Sequence, residues 1–329
     1  DPWRALRINQ LLRGDSAVTP ETMRRWQTDP GSVRADRFVP WFLNAARAAQ
    51  AHGRSTPALD SASSWLAAWD RRYVPDDEHV VLFEEYSSRY PFLESCRFPA
   101  APYRGLSEPF ATIGFLAAVT TNIRLGTGVL LVPQRNPVYT AKSVTTLDWL
   151  SNGRMELGIG VGWLAEEFAA LGVPFDRRGE RCDEYLAVMR SLWTDEVSSF
   201  KGEFYDLPAA RQFPKPVQQP HPPIHVGGES NAALRRAARF AQGWYGYNLD
   251  PAGAAERIAK LRTLLADAGR GPGEVMVSVS PYMHAVSERD VDAYAEAGVD
   301  QLVLYAPIRS TDEAEPVLDR LAGFIAAAG

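Results

Sequence analysis

From Thr121 onward the chain alternates short β-branched, apolar runs with stretches in which apolar residues recur at helical spacing. That order lays down a parallel sheet with helices on its outside. The predicted strands are Ile123–Val132, Met155–Val161, Ile224–Val226, Trp244–Tyr247, Val275–Tyr282 and Gln301–Tyr305, each bounded by Gly, Pro or Asn. Between and after them the pattern predicts helices over Tyr139–Leu150, Leu164–Leu171, Cys182–Trp193, Ala232–Gln242, Ala252–Ala268, Val291–Ala297 and Glu313–Ala327. In Cys182–Trp193, Tyr185, Met189, Leu192 and Trp193 fall on one stripe and Asp183, Glu184 and Arg190 fall elsewhere, as an outer helix packed on a sheet requires. The first 75 residues have another texture, with no period-2 strand and several helical stretches broken by Pro and Gly. Thr19-Pro20-Glu21 reads as a helix start, with Thr as N-cap and Pro at the first helical position. Phe38, Trp41, Phe42, Trp65, Leu66 and Trp69 want a partner surface, either as a helical cap on the body of the fold or as a lid over its site. The chain therefore divides into a helical segment over 1–75 and an α/β body over 76–329.

Composition narrows the function classes. With 329 residues, 46% of them apolar, the chain can bury a full core. Thirty-five basic against 40 acidic residues leave a formal charge of -5, and no Lys/Arg cluster carries interleaved aromatics, so no nucleic-acid partner is expected. No uninterrupted apolar stretch reaches the roughly 18 residues of a membrane span, and the first residues do not read as a signal peptide, which gives a cytoplasmic expectation with no membrane partner. Cys96 and Cys182 stand far apart with no CxxC, and the five histidines show no paired-ligand spacing; both cysteines read as ordinary thiols and no metal site is predicted. There is no GxSxG elbow for a serine hydrolase.

Ligands of barrels and open α/β sheets meet the carboxyl ends of the strands. Three glycine-softened segments lie at such ends. In Arg124-Leu125-Gly126-Thr127-Gly128-Val129 two glycines interrupt a strand, which marks a bulge, the close approach of another molecule or a tight interior. Leu157-Gly158-Ile159-Gly160-Val161-Gly162-Trp163 runs into a helix bearing Glu166, with GxGxG spacing and not the GxGxxG dinucleotide fingerprint; bare backbone beside a flat indole suits a planar ring. In Ile224-His225-Val226-Gly227-Gly228-Glu229-Ser230, Ser230 caps an Arg-rich helix whose free N–H groups either bind a phosphate or form a plain N-cap. Arg177-Arg178-Gly179-Glu180-Arg181 reads as a solvated charge cluster, with Arg178 and Arg181 as secondary candidates for orienting a loop or a cofactor.

Long motifs in the body resemble the luciferase-like family of flavin- and deazaflavin-dependent oxidoreductases, most closely its coenzyme F420 branch. They are Ser88-Arg89-Tyr90-Pro91, Arg97-Phe98-Pro99, Ala117-Ala118-Val119-Thr120, Arg124 to Val129, Pro133-Gln134-Arg135-Asn136-Pro137, Gly160-Val161-Gly162-Trp163 with Glu166-Glu167-Phe168, Gly172-Val173-Pro174-Phe175, and Pro223-Ile224 with Val226-Gly227-Gly228. The resemblance implies a TIM-type (β/α)8 barrel, here with six of eight strands found, binding coenzyme F420 or FMN for hydride transfer or monooxygenation of a small organic substrate, as a homodimer. It further implies a non-prolyl cis bond at Gly128-Val129 backing the cofactor ring. Thr127, Gly128 and Val129 would line that ring, with Gly160, Gly162, Trp163 and Glu166 flanking it and Gly227, Gly228, Glu229 and Ser230 holding the phosphate.

The first quarter resembles instead the late β-chain of penicillin-acylase-type hydrolases, through Arg7-Ile8, Leu11-Leu12, Thr19-Pro20-Glu21-Thr22-Met23, Trp26-Gln27-Thr28-Asp29, Ala67-Ala68-Trp69-Asp70 and Val81-Leu82-Phe83-Glu84. That class uses a Ser exposed by processing as a new N-terminal residue, and this chain begins with Asp1, so amide hydrolysis is not expected. Asp77-Glu78-His79-Val80-Val81 lies where the two resemblances overlap, as the barrel family's Asp-His-Val-Val or as part of an acylase-like helix. On the first reading His79 is the proton donor of the catalytic step. The missing strands leave two sheet edges, which the N-terminal helices or a second subunit would cover. A non-catalytic barrel that keeps the glycine loops as a dimerisation or binding module is the alternative.

Overall fold

The computed structural model describes residues 79–98, 107–304 and 323–324. The helical segment 1–75 and most of the predicted last helix lie outside these residues, as does any cover those helices give the sheet. The described body runs α1 (Pro109–Val119), β1 (Leu125–Gly126), β2 (Leu130–Leu131), α2 (Pro137–Leu150), β3 (Met155–Gly160), α3 (Ala165–Ala170), α4 (Arg178–Thr194), β4 (Ser198–Lys201), β5 (Asp206–Ala210), β6 (Ile224–Gly227), α5 (Asn231–Phe240), β7 (Gly243–Tyr247), α6 (Pro251–Asp267), β8 (Met276–Ser280), α7 (Val291–Ala297) and β9 (Gln301–Leu302). The main sheet is parallel in the order β1-β3-β6-β7-β8-β9, with β2 also beside β3. It curls with its helices on the convex side, an incomplete (β/α) barrel, and each of the six predicted strands is present.

β1 and β2 are two halves of one strand. Gly126 pairs with Glu156 and Leu130 with Ile159, so three residues on one side oppose two on the other. The excess residue is a bulge over Thr127–Val129, and the Gly128-Val129 peptide bond within it is cis.

Alternation along the strands separates two faces. Leu157, Ile159, Ile224, Val226, Trp244, Val277 and Val279 point outward into the core beneath the helices, together with Leu186, Met189 and Trp193 of α4 and Ile258, Leu261 and Leu265 of α6. The inner face carries glycines and polar residues; Gly227, Tyr245, Ser278 and Gln301 lie side by side in register across four strands.

Two elements were not predicted. α1 reads PFATIGFLAAV, without a charged residue to mark a polar face, so its periodicity is invisible in the sequence. The β4–β5 antiparallel hairpin contains Asp206, Pro208 and two alanines, residues poor in strand propensity. The proline-rich stretch before β6 is pinned to the body: Gln218 N donates to Asp148 Oδ2 at 2.9 Å and its side-chain amide to Asp148 Oδ1 at 2.7 Å, while Trp149 Nε1 donates to the Lys215 carbonyl.

Candidate functional site at the carboxyl ends of the strands

The carboxyl ends of β2, β3, β6, β7 and β8 open toward residues 79–98, which cross from Trp163 to the end of β7. Trp163 is the hub of an aromatic cluster, with ring centroids 5.7 Å from His79, 5.8 Å from Tyr86, 5.2 Å from Tyr90 and 6.3 Å from Phe98. At the far side Phe92 meets Tyr247 at 4.7 Å, Tyr247 meets Tyr282 at 4.6 Å, and Asn248 Nδ2 donates to the Phe92 carbonyl at 3.2 Å. A cavity of about 190 Å³ opens beside His79, Tyr86, Arg97, Phe98, Trp163 and Leu164. A larger one, about 500 Å³, lies at the other end of the sheet against Gln242, Val275 and Asp300, where strands begin and barrel chemistry is not expected.

Two consecutive acids of α3 hold the 79–98 segment. Glu166 accepts from the backbone N–H of Ser87 (2.6 Å) and Ser88 (3.2 Å) and from both hydroxyls, at 2.8 and 2.6 Å. Burial pushes its carboxyl up, but the bonds from Ser88 and Ser87 outweigh that and bring it down to about 2. The Ser88 hydroxyl also meets the Ala165 N–H at 3.0 Å, at the start of α3. Glu166, predicted beside a ring, is thus engaged with the covering segment.

Glu167 was not singled out in the sequence, and it is the more informative acid. Its side chain is fully buried, and it accepts from Val80 N at 2.7 Å and Gln134 Nε2 at 3.0 Å, with His79 Nδ1 3.3 Å away. Burial works to raise its carboxyl, and the contacts with His79, Gln134 and Val80 overcome this and hold it below the usual carboxylate range. A signal existed: Leu164, Glu167 and Phe168 are all buried at i, i+3, i+4 spacing, which puts a carboxylate in an apolar stripe where it must be paired.

The predicted glycines have two different explanations. Val129 occupies the space that Gly160 and Gly227 leave: a Cβ on Gly160 would stand 2.6 Å from Val129 Cγ2, and one on Gly227 2.8 Å from Val129 Cγ1. Gly158 likewise admits the carbonyl of Thr127, whose hydroxyl donates to the Gly158 carbonyl at 2.6 Å. These glycines seat the bulge. Gly162 and Gly228 instead have left-handed backbone, φ +78° and +107°. Gly162 turns β3 into α3, and Gly228 turns β6 toward α5, where Ser230 Oγ accepts from Ala233 N at 3.2 Å as an N-cap. Glu229 points to β7, accepting from Tyr247 N at 2.6 Å, and burial pushes its carboxyl up.

The basic cluster is less solvated than its sequence suggests. Arg177 is exposed and pairs with Glu180 and Glu203. Arg178, however, donates from Nε to the Gly162 carbonyl at 2.9 Å and lies 4.0 Å above the Phe175 ring, and Arg181 donates to the Pro174 carbonyl at 2.7 Å. Deeper on the inner face, Glu156 lies between Arg124 and His225, with His225 Nε2 3.1 Å from it. His221 bonds the Pro222 carbonyl and packs on Trp193, a structural role. Cys182 is buried, its thiol pushed up to about 12, and Cys96 is free. Among the described residues no group of His, Cys, Asp and Glu is arranged to hold a metal, and no helix is long and apolar enough to cross a membrane.

The luciferase-like monooxygenase family model matches residues 78–328. The chain belongs to this family. Penicillin amidase matches residues 1–106, so both matches include 78–106. An uncharacterized protein of Mycobacterium tuberculosis is 34% identical over 285 residues, covering 86% of this chain and 93% of that protein. The FMNH2-dependent dimethylsulfone monooxygenase of Pseudomonas putida is 29% identical, with 82% of this chain and 70% of that enzyme covered. In structure, the coenzyme F420 dependent tetrahydromethanopterin reductase of Methanopyrus kandleri superposes with a TM-score of 0.57 at 17% identity, over 66% of this chain and 86% of its own. The luciferase-like match begins one residue before His79, so this histidine falls within it.

Proposed function

We propose that this luciferase-like chain is an oxidoreductase that binds a reduced flavin or deazaflavin, FMN or coenzyme F420, at the carboxyl ends of its strands and acts on a small organic substrate. The observation that carries the reading is the inner-face platform at residues 127–129: a bulge seated on two glycines, exposing Val129 beside Gly160 and Gly227, with aromatic side chains on the neighbouring segment. Such a surface fits a flat ring. Gly228, Ser230 and the first N–H groups of the ten-residue helix α5 fit a phosphate, with the helix dipole behind them. Glu229 faces Tyr247, so the phosphate role falls to Ser230 and backbone, not to its carboxyl.

When bound, the cofactor supplies hydride transfer, or oxygen activation if it is a true flavin. This chain's residues supply the rest. Thr127, Gly128 and Val129 back the ring, and Gly160 and Gly162 shape its edge. Trp163 and its aromatic neighbours exclude water, which strengthens electrostatic interactions at the reacting atoms. His79, buried against Trp163 and beside the cavity, donates or accepts a proton. Glu166 holds the covering segment in place. The homodimer belongs to the same reading, and light scattering from the intact chain tests it.

The experiment is a titration of the purified protein with FMN and separately with coenzyme F420, reduced and oxidised, following quenching of cofactor fluorescence. Binding of one at micromolar strength or better is expected, and that one names the chemistry. Absence of binding to both overturns the oxidoreductase reading in favour of a non-catalytic barrel.

A further inference from the structure

The buried pair His79–Glu167 is an arrangement with a chemical consequence. The two side chains are 2% and 0% exposed, and His79 Nδ1 stands 3.3 Å from Glu167 Oε2. Nδ1 is buried and closes no hydrogen bond among the described residues, so the Glu167 carboxylate 3.3 Å away is the acceptor available to it. Glu167 receives two further donors, the Val80 N–H on Oε1 at 2.7 Å and the Gln134 amide on Oε2 at 3.0 Å. Every group converging on this carboxylate is a donor, so it is an acceptor throughout, and the proton between it and the imidazole belongs on the ring.

We infer that Glu167 is a positioning residue that fixes the His79 tautomer, holding the proton on Nδ1 and leaving Nε2 as the nitrogen available for proton transfer. The inference deepens the proposed function and rests on its assignment of His79. A neutral imidazole has one donor and one acceptor nitrogen, and the partner of one nitrogen decides the state of the other. With Nδ1–H directed at Glu167, Nε2 accepts a proton while the ring is neutral and gives one up once it is charged. The carboxylate also stabilises the imidazolium that forms in between. The arrangement further ties the site to the fold, because Glu167 is in α3, Gln134 follows β2, and His79 belongs to the covering segment.

Val80 makes the inference sharply testable. In Glu167→Gln the new side chain has one acceptor and one donor end. A backbone N–H cannot be turned round, so the carbonyl oxygen must stay on Val80 and the amide NH2 falls where Oε2 was. Gln134 can answer by rotating its own amide, whose oxygen has no hydrogen-bond partner among the described residues. His79 Nδ1 then faces a donor and must become the acceptor, which moves the proton to Nε2.

The test is long-range 1H–15N correlation of ring nitrogens in the full chain labelled with 15N-histidine, at a pH where the rings are neutral, with His79 assigned by its loss in His79→Gln. The wild type is expected to show the Nδ1–H pattern and Glu167→Gln the Nε2–H pattern. With the cofactor that binds, Glu167→Gln should lower kcat by about 100-fold and leave KM within about twofold. Glu167→Asp, which keeps the carboxylate, should retain the wild-type tautomer. A wild-type Nε2–H ring overturns the inference without any variant, so a Gln variant that fails to fold does not protect it; an unchanged tautomer in a folded Gln variant overturns it as well. If the tautomer switches but His79→Gln turns over normally, Glu167 does set the ring and the assignment of His79 as proton donor is what fails.

Discussion

Val129 and the glycines around it show how one side chain can dictate sequence on two neighbouring strands. The bulge pushes Val129 onto β3 and β6, and both strands answer with glycine where a Cβ would collide with its methyls. A collision at 2.6 Å cannot be absorbed by rotating a β-branched side chain, whose χ1 is confined. Gly160→Ala is therefore expected to cost about 1–3 kcal/mol in urea unfolding. Adding Val129→Ala should recover much of that loss, a coupling of about 1 kcal/mol or more between the two positions. Gly160→Ala with wild-type stability would show that the bulge does not press on β3. In the sequence Gly160 and Gly227 read as bare backbone for a cofactor, and the structure sets the protein's own Val129 against both. A linear pattern shows that room is left and not what fills it.

At the scale of elements, α3 is short, yet through Glu166 and Glu167 it fixes a segment some eighty residues earlier in the chain, as in the Ser87–Glu166 bond with a separation of 79 positions. Glu166 makes four of these contacts and is less buried than Glu167, so Glu166→Gln is expected to speed amide exchange at Ser87 and Ser88 while β6 to β8 stay protected. The same clamp has a pH signature. The folded carboxyl is depressed from 4.5 to about 2, so its stabilising effect is full above 4.5 and is lost as pH falls through about 2. The Ser87 and Ser88 amide resonances should titrate with a midpoint near the lower value; a midpoint near 4.5 would mean that the carboxylate is free in solution. Sequence pattern gave the six inner strands and the helices between them because alternation and 3.6-residue spacing are local. It could not show that Glu166 turns toward Ser87 and Ser88, since that pairing depends on where a distant segment crosses the sheet. The neighbouring Glu167 was readable in principle, being a charge in an apolar stripe. The hairpin β4–β5 stayed hidden because its residues carry little strand preference of their own.

At the scale of the whole molecule, two sequence families meet on the segment that covers the site. Residues 78–106 match both the luciferase-like and the penicillin amidase models, and within the described part of that stretch His79, Tyr86, Tyr90 and Phe98 surround Trp163 of the barrel. A ligand held here would touch strand ends, α5 and the covering segment together, so its binding energy should appear as stability of the whole body and not of one loop. Linkage gives the size: a ligand at about 100 times its Kd adds about 2.7 kcal/mol to a protein whose unfolded chain does not bind it. At roughly 2–4 °C per kcal/mol for a body of this size, Tm should rise by about 5–10 °C at that concentration and keep climbing with the logarithm of the ligand. Differential scanning calorimetry with the cofactor identified by fluorescence makes the comparison. A Tm that stays flat while fluorescence reports binding would place the cofactor away from the cooperative core, and so away from the carboxyl ends of β2, β3 and β6.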